Sequence, residues 1–225
     1  MISQLPRWVE YGAFVLAFIA GCVNAIGLLG FEHQAISHLS GTATLLGTGL
    51  SHGQLPTALH LGGILISFLV GATLSGVMLP GSSLKLGRHY ETLLAIEGLL
   101  LLTAIPCLDG GAMLGHYLAS MACGLQNAMA TTYSGAVVRT THLTGIITDL
   151  GLMLGNAVRG RPFDRRKAWL LMTIVVGFIL GGGVGAWLFT GLHFMALAIP
   201  AAICFVLALS YRFYRQQRGG DRTTS

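Results

Sequence analysis

Two histidines set in nearly identical surroundings are the residues of this chain best suited to chemistry: His38 in Ser37-His38-Leu39-Ser40-Gly41-Thr42, and His142 in Thr141-His142-Leu143-Thr144-Gly145-Ile146. Imidazole titrates near neutral pH, so a matched pair is a candidate for proton handling or for contact with a polar solute. The hydroxyls around them, Ser40, Thr42, Thr141, Thr144 and Thr148, and the glycines Gly41 and Gly145, suit the start of a short helix behind a break in the chain. Unpaired N–H groups at such a start favour anions or acceptor atoms, although the hydroxyls can equally serve only their own backbone.

Ahead of each motif stand amides, Asn24 in the first case and Gln126 with Asn127 in the second. An amide both donates and accepts, so each can contact a solute or tie its helix to the motif that follows. Two carboxylates lie inside apolar surroundings, Glu97 and Asp149, and an acid at membrane depth is a candidate for proton coupling. Asp149 also suits the first turns of a helix, and Arg139 is placed either to pair with it or to flank the membrane. No His, Cys or carboxylate cluster has metal-ligand spacing, so neither a metal nor a cofactor is expected, and no nucleophile and base pair marks an enzyme. The four cysteines read as small apolar fillers.

The elements that must hold these residues form an internal duplication. Offsets between the halves are 103 from Asn24 to Asn127, 104 from Gly41 to Gly145 and 110 from Gly71 to Gly181. Small residues four apart recur as well, Ser67, Gly71 and Ser75 in one half and Gly177, Gly181 and Gly185 in the other. With 53% hydrophobic and 9% charged residues in 225, the chain lies outside the range of soluble domains, where about 25% are charged, and reads as one transmembrane domain. Its 13 basic residues lie in loops and tails, which fits membrane orientation and not nucleic acid.

Apolar runs near 8–29, 57–79, 92–108, 112–132, 168–190 and 193–211 each match a bilayer-spanning helix, while two shorter runs near 34–50 and 140–155 carry the duplicated motif. If the short runs are re-entrant, one face holds every basic residue, Arg7, Lys85, Arg88, Arg139, Arg159, Arg161, Arg165, Arg166, Lys167, Arg212, Arg215, Arg218 and Arg222, and the other holds none. The sequence therefore predicts an all-α membrane protein of six transmembrane helices plus two re-entrant half-helix segments. Two inverted three-helix repeats, about 8–108 and 112–211, precede a cytoplasmic tail at 212–225, and both termini are cytoplasmic. Ile19-Ala20-Gly21-Cys22 has the look of a lipoprotein cleavage box, but cleavage there would remove the repeat partner of the helix ending near Asn127, so an intact chain is expected. The glycine-rich stretch 168–190 can bring a helix very close, within the chain or in a homo-oligomer.

Gly21-Cys22-Val23-Asn24-Ala25 with His38-Leu39-Ser40-Gly41, and Gly124-Leu125-Gln126-Asn127-Ala128 with Thr140-Thr141-His142-Leu143-Thr144-Gly145, resemble the YoaK-like family of bacterial inner-membrane proteins, a family of unknown function. The resemblance spans nearly the whole chain and implies a bacterial cytoplasmic membrane location and small-molecule transport, without a substrate. The family pattern has an Asp at Asn24 and Thr-Gly-Asn at Ser40-Gly41-Thr42, so the first half departs from it.

The expectation from sequence is a small-molecule transporter in contact with membrane lipid. Its solute is held at the midplane between the two re-entrant segments by Asn24, His38, Ser40, Gly41, Thr42, Gln126, Asn127, Thr141, His142, Thr144, Gly145 and Thr148, with Glu97 or Asp149 for proton coupling. A passive channel is the alternative, and an intramembrane enzyme or lipid-binding protein a second.

Overall fold

Backbone placed in hydrocarbon must satisfy its own hydrogen bonds, and a helix does so within one segment. In the computed structural model, which describes residues 8–30, 36–79, 89–134 and 139–220, every regular element is a helix. The order is α1 (Trp8–Gly30), α2 (Leu39–Ser51), α3 (Leu55–Met78), α4 (His89–Asp109), α5 (Leu114–Tyr133), α6 (Leu143–Val158), α7 (Arg165–Leu192) and α8 (Ala198–Gly220). Of the basic residues used above for orientation, Arg7, Lys85, Arg88 and Arg222 lie outside the described residues, as does the side chain of Arg218.

Four stretches are long and apolar enough to cross a bilayer: Glu10–Gly30, Leu55–Met78, His89–Asp109 and Arg165–Gln216. The last is 52 residues, about 78 Å as one helix, against roughly 30 Å of hydrocarbon. It is divided where His193 adopts φ 47° and a 3-10 turn, His193–Leu197, separates α7 from α8. The outer surface carries large exposed apolar side chains along α3, α6, α7 and α8, including Leu59, Ile66, Val77, Val158, Ile179 and Val206, as lipid contact requires. Exposed Trp169 and Trp187 on α7 are 18 residues apart, about 27 Å along the axis, close to the roughly 30 Å thickness of a hydrocarbon layer.

Glycine sets how the long helices meet. Gly177, Gly181 and Gly185 of α7 face the backbone of Phe14, Phe18 and Cys22 in turn, so α1 and α7 run parallel in close contact. In α3 and α5, Gly124 faces the Phe68 carbonyl, Gly71 faces that of Met121, and Ser120 Oγ donates to the Ile64 carbonyl at 2.9 Å. These two pairs are built from matching positions of the two halves: Gly21 against Phe178 corresponds to Gly124 against Phe68, and Gly181 against Phe18 to Gly71 against Met121. The Gly177, Gly181 and Gly185 stripe is therefore covered by α1 of the same chain.

Ion pairs mark one end of the bundle. Arg166 Nε lies 3.4 Å from Glu10 Oε1, joining the first turns of α7 and α1, and Arg215 Nη2 lies 3.2 Å from Glu91 Oε1, joining the end of α8 to the start of α4. The end of α5 lies there too, because Tyr133 packs edge to face on Tyr90 at 5.6 Å. Since α3 runs parallel to α5, it starts at the opposite end, where α1 finishes. Each short helix thus lies in chain that leaves and returns to one end of the bundle, α2 at the far end and α6 at the basic end. α2 and α6 have 13 and 16 residues, about 20 and 24 Å, shorter than a bilayer.

Gly71→Ala or Gly181→Ala would drive a Cβ into the carbonyl of Met121 or Phe18, whereas a Cβ at Gly62 meets nothing within 4 Å. Thermal melting in detergent should show losses of about 1–3 kcal/mol for the first two, the usual cost of overpacking, and none for Gly62→Ala. Equal melting of all three would contradict close backbone contact.

Candidate functional site

The duplicated motif folds alike in both halves. His38 and His142 are the N-cap residues of α2 and α6, and Gly41 and Gly145 are the third residues of those helices. The glycines stand within the first turn of each helix, behind the break. Each lets the imidazole three residues earlier lie flat on the first turn, because a Cβ at Gly41 would strike the His38 ring and one at Gly145 the His142 ring. The break is one turn earlier, at the histidines.

The hydroxyls behind them serve their own helices. Thr42 Oγ1 donates to the His38 carbonyl at 3.2 Å, Thr44 to Ser40 at 2.9 Å and Thr148 to Thr144 at 2.8 Å. Ser40 Oγ lies 3.4 Å from His38 Nε2, and Ser40, His142 and Thr144 are exposed. Thr141 is half-buried, and its neighbour Thr140 is fully buried. α2 packs on α3 and α6 on α7, and the expected meeting of α2 with α6 is not among the helix interfaces of the described residues.

Asn24 has a structural task. Its Oδ1 accepts from Ser37 N at 3.1 Å and Ser37 Oγ at 2.9 Å, while Ile36 packs on Gly27. Ser37 is therefore level with a residue six positions, about 9 Å, before the end of α1, so the chain doubles back along that helix. Asp149 is not an acid sealed in apolar surroundings: its side chain is 48% exposed and lies 3.4 Å from Lys167 Nζ in the first turn of α7. Lys167, not Arg139, is its partner.

Glu97 is different. It is 2% exposed, and its Oε2 has no hydrogen-bond partner. The Cys204 thiol of α8 hydrogen-bonds to its carboxyl, and Cys123 of α5 is close enough to interact. One turn past Cys123, Gln126 is 1% exposed with its Nε2 unpartnered, and Asn127 Oδ1 is buried without a partner. Unpaired buried polar groups are costly, and α4 and α5 carry three of them, on Glu97, Gln126 and Asn127.

Toward the basic end from Glu97 lies a cavity of about 490 Å³ between α1, α4, α5 and α8. Tyr90 and Leu94 line it from α4, on the stripe that continues to Glu97. Tyr211 and Leu207 line it from α8, on the stripe that continues to Cys204, and Tyr133 and Met129 from α5, on the stripe that continues to Gln126. Each stripe places its buried polar residue three positions, about 4.5 Å, beyond the lining. The volume lies within the range of small-molecule sites, about 300–1,000 Å³, and the walls are almost wholly apolar.

Five of the chain's six tyrosines, Tyr11, Tyr90, Tyr133, Tyr211 and Tyr214, ring this cavity. They lie near helix ends, and only the convergence of four helices makes them a wall. A second polar group escaped the sequence reading: His60 and His116 stack edge to face at 5.4 Å near the far end, with His60 Nδ1 3.2 Å from the Tyr117 hydroxyl. Their spacing of 56 residues gives no local signal.

Apolar helices in close-packed pairs, an apolar outer surface and a buried acid define an all-helical, multi-pass membrane protein. The family model "Protein of unknown function (DUF1275)" matches residues 12–210, and the chain belongs to that family, of which YoaK is a member. No curated protein and no solved structure matches the chain.

Asn24→Ala removes the acceptor for both Ser37 donors and should cost about 1–3 kcal/mol, opening the chain ahead of α2 to protease. Thr44→Ala, which removes an exposed hydroxyl bonded to its own helix, should stay within about 0.5 kcal/mol. Melting in detergent with limited proteolysis checks both. A neutral Asn24→Ala would show that the tie does not hold the segment.

Proposed function

We propose that the protein is a small-molecule transporter of the bacterial cytoplasmic membrane, coupled to protons through Glu97. The observation that carries this reading is one buried carboxyl, bonded to a thiol and with its second oxygen unpartnered, three positions beyond the lining of a cavity. A structural acid is normally paired or hydrated, and an acid inside a membrane without a basic partner suits proton exchange.

In this reading α1, α3, α4, α5, α7 and α8 cross the membrane, and α2 and α6 are re-entrant from opposite faces. Three crossings per half then make the halves inverted repeats. Support comes from the parallel pairing of α1 with α7 and α3 with α5, and from the return of the chain along α1 through Asn24 and Ser37. The basic end, with Arg159, Arg161, Arg165, Arg166, Lys167, Arg212 and Arg215, is cytoplasmic by the positive-inside rule, which puts both termini there. The solute reaches Glu97 from the cytoplasmic cavity. It does not bind between α2 and α6, whose hydroxyls are engaged in their own helices.

In inside-out vesicles a membrane-impermeant maleimide should label a cysteine at Arg161 but not one at His52, on a Cys107→Ser background; right-side-out vesicles should reverse the pattern. Labelling of both positions from one side would overturn the crossing pattern. In proteoliposomes, pH-driven uptake of a solute library should show counterflow, which a channel does not, and Glu97→Gln should cut the pH-driven part by about tenfold or more. Uptake insensitive to Glu97→Gln would remove the coupling role.

A further inference from the structure

We infer that the cavity binds lipophilic monovalent cations in exchange for the proton of Glu97. This rests on the transport reading and names its substrate class. The walls supplied by Leu16, Leu94, Met129 and Leu207 offer an apolar body nothing but contact surface. The tyrosine rings around them add negative π faces, which attract a positive charge. Three positions beyond Leu94 on α4, about 4.5 Å along the axis, stands the buried carboxyl of Glu97.

The titratable groups facing Glu97 are the thiols of Cys204 on α8 and Cys123 on α5. The 3-10 turn, which also packs on α4, contributes only His193, and that side chain is exposed. At the mouth, Arg215 is paired with Glu91 and Arg166 with Glu10. Among the described residues the lining itself holds no lysine or arginine, so an anion inside it would meet the carboxyl and no cation. A small hydrated ion would surrender its water to apolar walls, at high cost. A dication would leave one charge uncompensated, and a neutral molecule would leave the acid without a role. A monocation whose charge is shielded by apolar or aromatic groups satisfies both parts of the site.

The exchange balances in charge. Glu97 gives up its carboxyl proton, which leaves through the mouth to cytoplasmic water, and the resulting carboxylate faces the incoming cation. The net charge inside the bundle is unchanged, so the low-dielectric interior bears no added charge.

The test uses the full-length protein in detergent with two probes of the same shape and opposite charge, tetraphenylphosphonium and tetraphenylborate. In weakly buffered solution with a pH indicator, the phosphonium should bind with release of about one proton per cation, as linkage requires. The borate should bind at least roughly tenfold more weakly. Glu97→Gln should weaken phosphonium binding by a similar factor and abolish proton release. Should that variant fail to fold, Gly12→Phe fills the cavity from α1, where a Cβ meets nothing within 4 Å, and should abolish binding and proton release while leaving the acid in place. Equal binding of the borate, or phosphonium binding without proton release, would overturn the proposal. Uptake of a neutral solute by a protein that binds no phosphonium would sink this inference and leave the transport reading standing; phosphonium binding without transport of any solute would do the reverse.

Discussion

Backbone meets backbone where α1 lies on α7 and where α3 lies on α5, and the rest of the molecule follows from those two contacts. Lipid supplies no hydrophobic drive to hold helices together, so close packing must do it, and only residues without a side chain allow carbonyl oxygens to approach that nearly. Gly21, Gly181 and Gly185 make one contact, and Gly71 and Gly124 the other. Each pair joins the first helix of one half to the third helix of the other, so neither half packs alone.

That exchange leaves α4 and α8 to fill the middle. They pack on each other, and α4 also packs on α5, so the three helices share one buried junction. Leu93 and Leu101 on α4, Leu125 on α5 and Cys204 on α8 are fully buried there, and Glu97 sits among them. Toward the basic end the same helices diverge, and α1 completes the wall of the cavity. The duplication is imperfect at this point. α4 leans on α5 much more than α8 leans on α1, and Glu97 has no acidic counterpart in α8.

Much of this was legible in the sequence. The eight helices, the short lengths of α2 and α6 and the small-residue stripes follow from apolar runs and from matching offsets, because hydrophobic length and spacing are local properties. The His-x-x-Gly motif was legible as a repeated feature but not in its meaning. Nothing local tells that Gly41 and Gly145 make room for the preceding imidazole, or that Asn24 reaches Ser37 across a doubled-back chain. Asp149 and Glu97 look alike as acids in apolar runs. Their difference lies in neighbours far along the chain, Lys167 for one and the Cys204 and Cys123 thiols for the other. The cavity was invisible for the same reason, since its tyrosines come from four helices.

The account turns on Glu97 being a protonated acid in apolar surroundings, reachable from the cavity. Dicyclohexylcarbodiimide, a lipophilic reagent that attacks protonated carboxyls, reads both properties at once when followed by intact mass and peptide mapping. The account predicts one adduct, on Glu97, absent from Glu97→Gln and suppressed by Gly12→Phe. Adducts on Glu10 or Glu91 with Glu97 unmodified would contradict it.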